Sequence, residues 1–224
     1  MTREPASFAP EKRPPPEQRQ AQRFTLLLRV GKLRTPDGEF LCVLRDVSDR
    51  GIKVRLFHPI PKDQVGELEL GGGECFRVTR IWLKCNHAGF RFADGPIAVD
   101  RLIADADPFP KRHIRLRLHR PVSILLLFDG LTLPALLTDI SQHGAALALD
   151  QRLAIGCQVR IEALHMPALY ARVRWRRGGL HGLVFQEGFR LDALAELAVR
   201  IQLDRNERPD QSRALKIGAA LTGD

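Results

Sequence analysis

Residues 44–52 read LRDVSDRGI, and residues 137–145 read LTDISQHGA. Both contain Asp-x-Ser-x-x-Gly between short runs in which apolar residues alternate with others. One such loop is explained by turn chemistry alone. Asp can bond neighbouring amides in an Asx-turn, and Gly can adopt positive φ before the next strand. Two at matching places need more. Asp46, Ser48 and Gly51 recur 93 positions later (139 − 46) as Asp139, Ser141 and Gly144, and the same shift takes Trp82 to Trp175, Gly89 to Gly182 and Phe92 to Phe185. A constant offset over that distance identifies a duplicated unit.

Within each copy the apolar period is two, the signature of half-buried strands. Ile52, Val54 and Leu56 alternate with Lys53 and Arg55, and in the second copy Leu147 and Leu149 take the inward positions. Trp82 and Trp175 read as core positions on the same alternation, and Arg172, Arg174 and Arg176 as one strand face opposite Val173 and Trp175. Helical periodicity is concentrated in LDALAELAVRIQL (191–203), with a shorter helix expected in IAVDRLIADA (97–106). The expected fold is all-β with a minor helix: two tandem small antiparallel β-barrels, the second followed by a C-terminal helix. Proline-rich and polar stretches set the expected boundaries: a disordered tail over 1–18, domains over 19–106 and 107–204, and a C-terminal tail over 205–224.

Composition removes several classes of function. No window approaches the ~18–20 apolar residues of a membrane span, and the N-terminus lacks an apolar signal core. Cys42, Cys75, Cys85 and Cys157 form no CxxC pair, which suits reduced thiols and a cytoplasmic location. Seven scattered histidines suggest no catalytic set and no metal site, so the expectation is a non-enzyme. The net charge of +9 favours an anionic partner.

The lead-in to the first copy narrows that partner. PEQRQAQRF places Arg19 and Arg23 four apart without an intervening acid, 23 residues from Arg23 to Asp46. That length allows a strand, a turn and a second strand, so a barrel could return the arginines to the loop. Arginine offers a planar fork to guanine O6/N7 or to phosphate oxygens. Aspartate can accept from guanine N1–H and N2–H, and a serine hydroxyl adds one adaptable contact.

RxxxR, then DxSxxG, then a barrel pattern resembles the PilZ domain, a bacterial receptor for the second messenger cyclic di-GMP. The resemblance covers nearly the whole chain as two tandem domains. It implies a first ligand site of Arg19, Arg23, Asp46, Ser48 and Gly51, the arginines clamping phosphates and stacking on guanine. In the second copy it implies a weaker site of Lys111, Arg115, Asp139, Ser141 and Gly144, because lysine lacks a planar face to stack on a base. It further implies no cofactor beyond the ligand, and a protein effector as partner. Two other readings stand beside it: a PilZ-like protein-interaction module without ligand, and a basic barrel binding nucleic acid, which one Tyr and two Trp support poorly.

Overall fold

A computed structural model describes residues 24–58, 65–99 and 113–207. The first copy forms six strands, β1 (Phe24–Thr35), β2 (Gly38–Val47), β3 (Gly51–Leu56), β4 (Val65–Leu70), β5 (Cys75–Lys84) and β6 (His87–Phe92). The second forms β7 (Leu116–Leu126), β8 (Thr132–Ile140), β9 (Gly144–Ala148), β10 (Gln158–Glu162), β11 (Leu169–Arg177) and β12 (Leu180–Phe185), followed by helix α1 (Leu191–Glu207). Each set closes into a barrel, in the orders β1-β2-β3-β6-β5-β4 and β7-β8-β9-β12-β11-β10. Every adjacent pair is antiparallel, and closure removes the unpaired edges that a six-stranded sheet would expose.

The alternation predicted from sequence fills both interiors. Ile52, Val54 and Leu56 are buried in the first barrel, and Leu147 and Leu149 in the second. Leu194, Leu197, Ala198 and Ile201 lay the helical stripe on the second core. The helix runs four residues beyond the periodic segment, to Glu207. Residues 97–99 are not helical, and the rest of the shorter expected helix lies outside the described residues.

The barrels also share packing. Leu41 on β2 is buried among residues of the second core, while Val199 of α1 packs on the first. Gln202 of α1 is paired with the backbone of Glu39: the Glu39 N–H donates to Oε1 at 2.7 Å, and Nε2 donates to the Glu39 carbonyl at 2.9 Å. Lys32, 3% exposed, donates from Nζ to the Arg115 carbonyl at 2.9 Å and pairs with Glu39 and Glu69 at 3.2 and 2.9 Å. Glu39 Oε2 accepts the Arg117 N–H at 2.7 Å. A buried ion cluster of the first barrel is thus bonded to the opening residues of the second.

Candidate functional site

Three β-bulges build the site, and all three recur. Register slips between Thr25 and Arg29, between Leu44 and Asp46, and between Arg80 and Trp82 in the first barrel. The second slips between Arg117 and Arg120, between Leu137 and Asp139, and between Val173 and Trp175. On β2, β5, β8 and β11 the slip is one extra residue, which reverses the face of everything after it, whereas β1 has two extra residues where β7 has one. Leu44 and Leu137 point inward, yet Asp46 and Asp139, two residues on, point out of the barrel wall.

The same inversion corrects the reading of the tryptophans as core. Val78 and Val173 are buried, but beyond the bulges Trp82 is 42% and Trp175 40% exposed. Trp175 therefore does not share an inward face with Val173. Each indole lies over a glycine of the adjacent strand, where a Cβ on Gly89 or Gly182 would overlap the ring. That packing explains the Trp-to-Gly spacing of seven.

The turn glycines also act differently from expectation. Neither Gly51 nor Gly144 has positive φ. Each lies against the carbonyl of a neighbouring strand, Gly51 so that a Cβ would come 2.6 Å from Phe90 O, and Gly144 closer still to Leu183 O. Close backbone approach is what demands glycine here. The turn itself is closed by serine. Ser48 donates from its backbone N–H and its hydroxyl to the Gly51 carbonyl at 2.9 and 3.3 Å, and Ser141 does the same to Gly144 at 2.8 and 3.1 Å.

Across the first barrel, register pairs Thr25 with Asp46, Asp46 with Lys53, Lys53 with Gly89, and Gly89 with Trp82. The equivalent row in the second is Arg117, Asp139, Ala146, Gly182 and Trp175. Along the first row lies a cavity of about 250 Å³, lined among others by Asp46, Ser48, Arg50, Gly51, Lys53, Ile81, Trp82 and Arg91. Asp46 Oδ2 stands 3.5 Å from Lys53 Nζ. One carboxylate, three basic side chains and an indole line the same cavity: a place for a planar, anionic molecule.

The second row is met from its other side. Arg115 donates from Nη1 to Asp139 Oδ1 at 2.7 Å. Beside it, the His113 ring contacts the His143 ring of the turn edge-on, with centroids 4.4 Å apart. These contacts bring the lead-in of the second barrel onto its Asp-x-Ser-x-x-Gly turn. The pairs Phe24–Val47 and Leu116–Ile140 are equivalent, so the lead-ins are related by a shift of 92 (116 − 24). That shift matches Arg23 with Arg115 and Arg19 with Lys111. Arg19, Arg23 and Lys111 themselves lie outside the described residues.

Sequence reasoning did not select Arg50, Lys53, Trp82 or Arg91 for the site. Lys53 was visible as an outward residue two beyond Gly51, but its meeting with Trp82 depends on the order β3-β6-β5, which skips β4 in sequence.

A model of the family described as PilZ domain matches residues 17–105 and again 111–205. The chain belongs to the PilZ family. Among solved structures, this tandem PilZ chain is similar to the PlzA protein of Borreliella burgdorferi in complex with c-di-GMP, at 11% identity over 80% of this chain and 93% of that one, with a TM-score of 0.31. It is similar to YcgR of Escherichia coli in complex with c-di-GMP, at 15% identity over 85% and 88%, TM-score 0.30. A third likeness is the MrkH–c-di-GMP complex of K. pneumonia, at 13% identity over 82% and 90%, TM-score 0.32. No curated protein matches the PilZ chain in sequence. Among the described residues, no helix is long and apolar enough to cross a membrane, and no group of three or more His, Cys, Asp and Glu could hold a metal ion.

Proposed function

We propose that this PilZ chain is a cyclic di-GMP receptor that passes ligand occupancy to the docking of its two barrels, without catalysing a reaction. The observation that carries the reading is the repeated row, in which a carboxylate and an exposed indole are separated by two strands, with Lys53 or Ala146 and a glycine between them, beside an Asp-x-Ser-x-x-Gly turn. A carboxylate can accept guanine's paired N–H donors while the indole covers an apolar base face. Arg19 and Arg23 at the first site, and Lys111 and Arg115 at the second, would supply the phosphate contacts.

Coupling has a route in this molecule. The Arg115 side chain reaches Asp139, while its carbonyl accepts from buried Lys32 of the first barrel. A ligand that repositions Arg115 would disturb a bond between the barrels. It shifts their arrangement to the extent that it binds one arrangement better than the other. The receiving partner is a protein effector in a cytoplasmic setting.

Calorimetric titration tests the reading. Cyclic di-GMP should bind, and cyclic di-AMP should bind at least tenfold more weakly, since adenine lacks N1–H, N2–H and O6. Leaving one buried partner unpaired costs roughly 1–3 kcal/mol. Equal binding of the two would refute guanine readout, and no binding of either would favour a ligand-free interaction module.

A further inference from the structure

The two rows differ at their centre. Where the first barrel has Lys53 between Asp46 and Gly89, the second has Ala146 between Asp139 and Gly182. Lys53 Nζ lies 3.5 Å from Asp46 Oδ2, and both residues line the cavity with Trp82. Its ammonium presents N–H donors to the carboxylate that the proposed function assigns to guanine. In register, Lys53 stands between that carboxylate and the glycine that carries the indole.

In the second barrel that place is taken by Ala146, which is itself only 3% exposed. Alanine has no atom beyond Cβ, and glycine has none at all. Asp139 Oδ1 accepts instead from Arg115 of the lead-in, at 2.7 Å.

We propose that Lys53 is a specificity-determining residue that holds the first site against guanine, with no counterpart at Ala146 in the second barrel. With Arg50 and Arg91 on the same cavity, the first site favours anionic groups, and any guanine that enters must first displace an internal ion pair. This inference rests on the proposed guanine readout.

The test uses the two tryptophans of the chain, one in each row. In the full-length Trp175→Phe protein the fluorescence reports the first site; in Trp82→Phe it reports the second. Each is titrated with cyclic di-GMP, with and without Lys53→Ala. Lys53 is a surface side chain, 38% exposed, and the residue introduced is the one the other barrel carries, so folding should be retained. Releasing an exposed ion pair should tighten the first site about threefold to fivefold and leave the second unchanged. Unchanged or weaker binding at the first site overturns the inference, weaker binding meaning that Lys53 is itself a ligand contact. If the protein with native Lys53 binds nothing at either site, the receptor reading fails separately. Binding that appears at the first site on Lys53→Ala would then still support the role of Lys53, and its absence would sink it.

Discussion

At the scale of single residues, the repeated motif separates into parts with different duties. Aspartate is turned outward and meets a cation in each barrel, Lys53 at Asp46 and Arg115 at Asp139. Serine spends both its donors on the glycine carbonyl, which makes it the closure of the turn. Glycine serves the approach of the neighbouring strand, and Gly144 is the tighter of the two copies. Gly144→Ala should therefore destabilise the protein by about 1–3 kcal/mol, because backbone must move to admit the methyl group. Gly179→Ala is the contrast, since a Cβ there would stand 3.5 Å from its nearest neighbour, an ordinary contact. Urea unfolding of both variants checks the difference, and equal midpoints would show that the strand yields freely at the turn.

At the scale of elements, alternation predicts faces well until a bulge intervenes. The inward set of β3 follows from period two, whereas β9 is buried at four successive positions, Gly144 to Leu147. Trp82 and Trp175 have the parity of core residues, and a bulge that leaves no mark in the local pattern turns them out. The site inherits that difficulty. Its turn residues are contiguous and were legible, whereas Lys53 and Trp82 meet through strand order. The lead-in strand offers a test of the assignment in the second barrel. Arg115→Ala removes one charge-assisted contact, worth roughly 1.5–3 kcal/mol, so cyclic di-GMP binding read at Trp175 should weaken about tenfold to a hundredfold. The signal of Trp82 should be unaffected. A loss confined to Trp82 would place the working site of Arg115 in the wrong barrel.

At the scale of the whole molecule, the polar cluster of Lys32, Glu39 and Gln202 distinguishes two docked barrels from two beads on a linker. Lys32 and Glu39 carry side chains only 4% and 10% exposed, so each depends on the other and on the second barrel's backbone for solvation. Removing one partner of such a buried pair costs about 3–5 kcal/mol where nothing replaces it. Lys32 keeps Glu69, so Glu39→Ala should cost near the lower end, about 3 kcal/mol. The exposed pair Arg34–Glu67, with side chains 36% and 46% exposed, supplies the comparison, and Glu67→Ala should change stability by less than about 1 kcal/mol. Glu39→Ala also strips the Arg117 N–H of its acceptor across the interface. Hydrogen exchange at Arg117 should accelerate on the order of tenfold or more, while core amides of the second barrel, such as Leu147, stay protected up to the global limit. If Arg117 exchanges at its original rate in Glu39→Ala, the barrels are held by the apolar contacts of Leu41 and Val199, and the ion cluster is not the hinge through which a site at Arg115 is felt by the first barrel.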